Sequence, residues 1–178
     1  HADLIEQAVA AGKHVFCEKP IDLSLPRVQE VVAKIKASNI ISMLAFNRRF
    51  DANFAALQQR IAAGEIGEVE MVSVISKDPS PPPVEYIKVS GGLFRDMTIH
   101  DFDMARFLLG EEVVEVSAQA SCLVDAAIGE AGDVDTALVI MRTASGKLAQ
   151  ISNSRRASFG YDQRFEVHGS KGMLTATN

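Results

Sequence analysis

Residues 14–46, HVFCEKPIDLSLPRVQEVVAKIKASNIISMLAF, decide the first part of the fold. Residues 14–17 are apolar and predict a short strand, and residues 40–46 predict a second strand that is nearly all apolar. Between them Ser24 is a suitable helix N-cap with Pro26 in the first turn, and valines and an isoleucine follow at helical spacing. A strand that is apolar throughout is typical of a parallel sheet covered on both faces. The order strand, helix, strand therefore predicts an α/β unit.

The rest of the chain predicts a different architecture, in which strands dominate. Residues 51–63 and 97–109 indicate helices, the second of which interrupts the strand series. Ser145-Gly146 and residues 169–172 are typical of hairpin turns, which join neighbouring antiparallel strands. We therefore expect an open, mostly antiparallel sheet. The strand-like segments are residues 69–76, 113–122, 135–143, 147–154 and 164–167.

Composition and charge exclude several classes of protein. The chain has 178 residues, 47% hydrophobic and 23% charged, a balance typical of globular proteins and not of disordered tails. With 18 basic and 23 acidic residues the formal net charge is −5, which argues against nucleic acid or an anionic membrane as the main partner. No apolar run is long enough to span a bilayer. The two cysteines, Cys17 and Cys122, fit a reducing compartment, so we expect the cytoplasm.

Asp96, His100 and Asp103 are the first candidates for chemistry. Their spacing of i, i+4 and i+7, at about 100° per residue, predicts one face of one helix. A histidine beside a carboxylate is a common general base near neutral pH. Two alternatives stay open: a solvated acidic helix face, and a metal site, which no second His or Cys cluster supports. Gly91 and Gly92 precede the run and would let backbone or ligand approach closely.

Basic residues directly after predicted strands are the second set of candidates. Lys19 follows the first strand, at the end where open α/β sheets bind ligands, and could orient a hydroxyl or stabilise an alkoxide; alternatively it pairs with Glu18. Arg48 and Arg49 follow the second strand and could hold hydroxyls or a carboxylate, or pair with Asp51. No Gly-x-Gly-x-x-Gly fingerprint for a dinucleotide occurs in the chain.

Four segments, in order along the chain, resemble the glucose–fructose oxidoreductase/inositol dehydrogenase family. Residues 12–20, GKHVFCEKP, resemble its Glu-Lys-Pro segment, and residues 46–51, FNRRFD, resemble the Arg-Arg-aromatic-Asp segment of inositol dehydrogenases. Residues 91–103, GGLFRDMTIHDFD, resemble the Asp-x-x-x-His catalytic helix of that family. Residues 160–162, GYD, resemble a segment that lines its sugar pocket.

The resemblance implies a two-domain organisation. Residues 1–46 would be the C-terminal part of a Rossmann dinucleotide-binding domain, and residues 47–178 a substrate-binding and oligomerisation α+β domain with an open, mostly antiparallel sheet. Such sheets commonly assemble family members, so we expect a homodimer or homotetramer. The chain begins at His1 without the family's first βαβ unit and its glycine loop, so we expect a fragment that lacks the pyrophosphate site.

The resemblance also implies hydride transfer between a ring carbinol and NAD, with NADP as the alternative cofactor. The substrate would be a cyclic polyol, myo-inositol, oxidised to a keto-inositol. His100 would be the general base with Asp96 as its partner, and Lys19 would orient the reacting hydroxyl. Glu18, Lys19 and Pro20 would lie near the nicotinamide ribose. The polyol pocket would be lined by Asn47, Arg48, Met97 and Tyr161.

Two alternatives to inositol oxidation stay open. One is a dehydrogenase or reductase of another sugar in the same family. The other is a non-catalytic oligomerisation fragment, built on the apolar face of the open sheet. The trio of Lys19, Asp96 and His100 favours an enzyme, because a pure scaffold has no reason to gather an ammonium, a carboxylate and an imidazole.

Overall fold

The computed structural model describes residues 1–178, which divide into two compact units, His1–Asn47 and Arg48–Asn178. Each unit has its own hydrophobic core. None of the helices combines the length and the hydrophobicity that crossing a membrane requires.

The first unit contains the predicted strand–helix–strand order, preceded by one helix. The two strands are parallel, with Phe16 opposite Met43. Ser24 is the N-cap of the connecting helix and has the extended backbone of that position, with proline in the first turn, as predicted. The elements are α1 (Ala2–Ala10), β1 (Val15–Cys17), α2 (Leu25–Lys36) and β2 (Ser42–Leu44).

Within this chain, one face of the two parallel strands is covered and the other is open. Cys17 packs into the core that Ile5 of α1 and Val31 of α2 form, which buries one face. Phe16 and Met43 point the other way and are 69% and 41% exposed. Side chains alternate along a strand, so a single helical layer covers only every second residue.

The second unit is an open, six-stranded sheet with strand order β4-β5-β6-β3-β7-β8. Every neighbouring pair is antiparallel except β3 and β6, which run parallel. The predicted open, mostly antiparallel sheet is therefore confirmed. The strands are β3 (Val69–Lys77), β4 (Val113–Ser121), β5 (Thr136–Thr143), β6 (Leu148–Ser154), β7 (Asp162–Gly169) and β8 (Gly172–Thr177). The helices are α3 (Ala52–Ala62), α4 (Val84–Ser90), α5 (Ile99–Leu109) and α6 (Ala126–Glu130).

The core of the second unit joins the sheet to α3 and α5. Asp51 begins α3 as its N-cap, and its carboxylate accepts hydrogen bonds from the backbone N–H groups of Asn53 and Phe54. The Phe54 ring then packs edge-on against Phe165 of β7, with 4.5 Å between ring centroids. Met104 of α5 is fully buried in the same core.

The predicted helix over residues 97–109 begins differently from the expectation. A π-helical turn, Phe94–Thr98, precedes α5. The wider turn changes the angle between Asp96 and the residues after it, so a count at about 100° per residue does not hold across this junction. The close approach predicted at Gly92 is made by the protein itself: the Asp133 carboxylate lies beside Gly92 and accepts a hydrogen bond from the Leu93 N–H at 3.0 Å.

Candidate functional site

The carboxylate of Asp96 is held on both of its oxygens. Tyr86 on α4 donates its hydroxyl hydrogen to Asp96 Oδ1 at 2.8 Å. Arg155, directly after β6, places Nη2 and Nη1 at 3.3 and 3.4 Å from Asp96 Oδ2. The hydrogen bond to Asp96 raises the pKa of the Tyr86 phenol, and burial adds to that effect. These two neighbours fix the plane of the Asp96 carboxylate. Asp96 also lies in a π turn, a feature that is frequent at functional sites.

Arg155 lies between two carboxylates. Its side chain is 1% exposed, and its Nη1 is 3.7 Å from Asp78 Oδ2. Its backbone N–H donates to the carbonyl oxygen of Asp135 at 2.8 Å, which fixes the chain where β6 ends. Burial raises the pKa of Asp78, while the charge of Arg155 lowers it and the charge of Asp96 raises it. One buried guanidinium thus forms ion pairs with two partly buried carboxylates.

His100 and Asp103 have different surroundings. His100 is half-buried in the first turn of α5, four residues after Asp96. Asp103 forms two hydrogen bonds with Arg49, both of 2.7 Å, and the Arg49 guanidinium lies 4.5 Å from the centre of the Phe107 ring. The alternatives of a solvated acidic face and of an Asp-His-Asp metal site are therefore wrong, because Asp103 is buried against an arginine. No group of three or more His, Cys, Asp or Glu side chains could hold a metal ion.

Arg48 is part of a buried polar network that the sequence analysis missed. Its Nη1 donates to Asp101 Oδ1 and its Nη2 donates to Ser76 Oγ at 3.2 Å. Asn153 donates to the other oxygen of Asp101 at 2.8 Å. Burial raises the pKa of Asp101, although the charge of Arg48 opposes that shift. The alternative pairing of Arg48 or Arg49 with Asp51 is therefore wrong.

The other predicted pocket residues of the second unit lie in unlike environments. Met97 is 5% exposed and packs in a small cluster with Leu93 and Ala137. Tyr161 is 51% exposed, and its hydroxyl oxygen accepts a hydrogen bond of 2.5 Å from the Gln163 side chain. The same amide also donates to Ser76 Oγ at 3.4 Å. A short polar chain therefore joins Tyr161 to the network around Arg48.

The predicted cofactor-side residues lie in the first unit. Glu18, Lys19 and Pro20 follow β1 directly, at the carboxyl end of a parallel strand. Glu18 is exposed, whereas Lys19 and Pro20 are half-buried. His1 donates a ring N–H to the Pro20 carbonyl oxygen at 2.9 Å, which anchors the segment to the start of α1. Asn47 is exposed where this unit ends. These positions are compatible with a ligand-binding strand end.

Asp78 and Arg155 were missed although a usable signal existed. Each lies within two residues of the end of a predicted strand, as Lys19 and Arg48 do, so the same strand-end argument would have selected them. Tyr86 had no comparable signal, because it lies in a short helix after a proline-rich loop.

Comparison with known protein families identifies both parts of the chain. Residues 54–175 match the GFO/IDH/MocA C-terminal domain, and residues 1–46 match the oxidoreductase family with an NAD-binding Rossmann fold. The chain belongs to the GFO/IDH/MocA family. The family expected from the four sequence segments is therefore confirmed.

Inositol dehydrogenases are among the relatives within the GFO/IDH/MocA family. The inositol 2-dehydrogenase of Rhizobium meliloti (strain 1021) is 62% identical over 178 residues, 100% of this chain and 54% of that protein. The crystal structure of a myo-inositol dehydrogenase from Corynebacterium glutamicum matches with a TM-score of 0.94 at 50% identity, covering 100% of this chain and 53% of that one. A Lactobacillus casei scyllo-inositol dehydrogenase, solved with NAD(H) and scyllo-inositol, matches with a TM-score of 0.87 at 34% identity, covering 98% and 53%. The chain thus spans about half the length of the relatives it matches.

Proposed function

We propose that the protein containing this chain is an NAD-dependent dehydrogenase that oxidises a cyclic polyol, myo-inositol, at a ring carbinol to a keto-inositol. The observation that carries the proposal is the 62% identity to an inositol 2-dehydrogenase across the whole chain. The matched structure that contains NAD(H) and scyllo-inositol supports a nicotinamide cofactor and a cyclic polyol substrate. NADP is the alternative cofactor.

His100 is the proposed general base, which accepts the proton of the reacting hydroxyl. Asp96 is its proposed partner, because a fixed carboxylate stabilises the imidazolium that forms. Lys19 is proposed to donate a hydrogen bond to the reacting oxygen and to stabilise the developing alkoxide. A bound nicotinamide cofactor would supply the hydride acceptor for the carbinol hydrogen. Glu18, Lys19 and Pro20 are the residues proposed to contact its ribose, since they follow the carboxyl end of β1.

The proposed polyol contacts differ in what each side chain can offer. Tyr161 presents an exposed phenol, and Asn47 an exposed amide, both of which can hydrogen-bond ring hydroxyls. Arg48 is already committed to Asp101 and Ser76, so we propose that it reaches substrate with its remaining N–H groups. Met97 would contribute only a small apolar wall, because it is 5% exposed.

We propose a second copy of this chain as the protein partner, in a homodimer or homotetramer. The open face of the sheet exposes Leu138, Ile140 and Leu148 by 59%, 63% and 44%. Apolar side chains grouped on two adjacent strands favour association, and a self-complementary surface generates a symmetric dimer. Both cysteines are free thiols, which fits the cytoplasm as the proposed compartment.

Replacement of the proposed base tests the proposal. In the complete protein, His100→Ala is expected to lower kcat for myo-inositol by at least about a hundredfold, while NAD binding measured by calorimetry persists. His168→Ala is the matched control, because His168 lies on β7 and pairs with Glu166 at 2.8 Å. Its kcat should equal that of the unmodified protein.

Two results would contradict the proposed function or its general base. A kcat for His100→Ala within about threefold of the control would reject the assignment of the base. A panel of inositols and aldoses with NAD and NADP tests the substrate class, and a higher kcat/KM on an aldose than on every inositol would favour the sugar dehydrogenase alternative.

A further inference from the structure

Arg155 is a fully buried arginine whose burial requires a reason. It is 1% exposed, and a guanidinium removed from water is stabilised only when carboxylates and hydrogen bonds replace the lost hydration. Its partners are Asp96 and Asp78, but its Nε has no hydrogen-bond partner. An apolar side chain of similar volume would serve packing as well or better. The placement of this arginine therefore favours a role in the ionisation and orientation of its carboxylate partners.

The geometry at Asp96 shows what the arginine controls. Both terminal nitrogens of Arg155 approach the same oxygen, Oδ2, at 3.3 and 3.4 Å. The other oxygen, Oδ1, accepts the hydroxyl of Tyr86 at 2.8 Å. A carboxylate with a donor on each oxygen cannot rotate about its Cβ–Cγ bond without breaking both contacts. Arg155 and Tyr86 together therefore select one orientation of the Asp96 carboxylate.

We infer that Arg155 is a positioning residue for Asp96, which it holds ionised and in one orientation, with Tyr86 holding the second oxygen. Asp96 is faced by Tyr86 from α4 and by Arg155 from the segment after β6, and Asp78 from the segment after β3 lies on the other side of the guanidinium. His100 follows four residues later along the same helical run. The catalytic consequence of this inference rests on the proposed function, in which Asp96 is the partner of His100.

The role of Arg155 depends on charge because Asp78 and Asp96 are both carboxylates. Without the guanidinium between them, two like charges face each other in a partly buried site, and one of them becomes easier to protonate. A protonated Asp96 no longer stabilises the imidazolium that His100 forms when it accepts a proton. An arginine that only filled space would not change how easily Asp96 is protonated.

Three variants of the complete protein separate charge, geometry and packing. Arg155→Met removes the charge and keeps most of the volume, and Arg155→Lys keeps a charge but loses the planar fork. Arg156→Met is the matched control, since Arg156 is the adjacent residue and is exposed. We expect Arg155→Met to lower kcat by at least about thirtyfold with KM changed less than about threefold, because the group acts in the reaction step. We expect Arg155→Lys to fall between Arg155→Met and the control.

A measurement that needs no activity tests the ionisation of Asp96 directly. Protein labelled with ¹³C-aspartate is titrated by NMR, and Asp96→Asn identifies the Asp96 carboxyl resonance by its disappearance. In Arg155→Met the midpoint of that resonance is expected to move upward by about one pH unit or more, since an opposite charge a few ångströms away is lost. In Arg155→Lys and Arg156→Met it should stay within about half a unit of the unmodified protein.

The two measurements separate this inference from the proposed function. A protein that oxidises no polyol would reject the proposed function, while the titration still decides whether Arg155 controls the charge of Asp96. An unmoved midpoint in Arg155→Met would overturn the inference, as would a kcat equal to that of Arg156→Met in an active enzyme. If Arg155→Met fails to fold, an Arg155→Lys variant with the kcat of the control overturns it as well.

Discussion

Replacement of Arg48 by methionine is predicted to destabilise the second unit strongly and in a pH-dependent way. Arg48→Met keeps an unbranched chain of similar length but removes the guanidinium that pairs with Asp101. The Asp101 carboxylate is fully buried and would keep the hydrogen bond from Asn153, of 2.8 Å, and the one from the Ser76 side chain, but no positive charge. Ser76 would also lose the donor at 3.2 Å that Arg48 supplies.

The magnitude follows from the burial of both partners. Arg48 is 8% and Asp101 0% exposed, and removal of one partner from a buried ion pair costs about 3–5 kcal/mol. The amide of Asn153 stays beside the carboxylate, so we expect the lower half of that range, about 3–4 kcal/mol at pH 8. The double variant Arg48→Met/Asp101→Asn contains no buried charge at this site and should recover about 2 kcal/mol of the loss.

The pH dependence has a definite sign. Burial raises the pKa of Asp101 in the folded protein, and Arg48 opposes that shift, so Arg48→Met raises this pKa further. Between the pKa of Asp101 in the unfolded protein and its higher pKa in the folded protein, the folded state binds the proton more strongly, so stability falls as the pH rises. The penalty of Arg48→Met should therefore be smaller at pH 5 than at pH 8.

Urea unfolding followed by far-UV circular dichroism at both pH values measures these differences. The single variant, the double variant and Asp101→Asn complete a double-mutant cycle with the unmodified protein. A loss below about 1 kcal/mol for Arg48→Met at pH 8, or a larger loss at pH 5 than at pH 8, would refute the reasoning, because an uncompensated buried carboxylate predicts the opposite of each.

Two further predictions concern other parts of the second unit. Burial raises the pKa of Asp135, but hydrogen bonds from backbone N–H groups, that of Leu123 foremost, outweigh the effect of burial and hold this pKa at about 2. Asp135→Asn should therefore cost about 2 kcal/mol in urea unfolding at pH 7, a loss that shrinks as the pH falls below about 4; an equal loss at pH 7 and pH 3 would contradict this. Ile140→Glu should lower the mass of the oligomer in light scattering, whereas Leu4→Glu on α1 should leave it unchanged; equal masses would remove the open sheet face from the interface.

Local sequence patterns predicted most elements because their physical causes are local. The strands of the second unit alternate in burial along β5, as a sheet with one covered face requires, and the turn at Ser145-Gly146 joins β5 to β6. Short elements escaped prediction: α4 and α6 have 7 and 5 residues, too few for a periodic pattern. The π turn before α5 also left no periodic signal.

The partners of the charged residues could not be predicted, because they come from distant parts of the chain. The sequence offered Asp51, three positions away, as the alternative partner of Arg48, but its partner Asp101 lies 53 positions away. Arg155 and Asp96 are separated by 59 positions. These pairs depend on which strands become neighbours, and hydrophobic alternation does not specify that order.

The single parallel pair of strands explains why these pairs form where they do. β3 and β6 run in the same direction, with Ser76 opposite Asn153, so their carboxyl ends reach the same edge of the sheet. Ser76 and Asn153 contact the network of Arg48 and Asp101, and the residues just beyond these strand ends, Asp78 and Arg155, face each other beside Asp96. An antiparallel pairing would have placed the two carboxyl ends at opposite edges. α/β sheets bind ligands at the carboxyl ends of their parallel strands. Here one parallel pair within a mostly antiparallel sheet is sufficient to bring polar side chains together at such an edge.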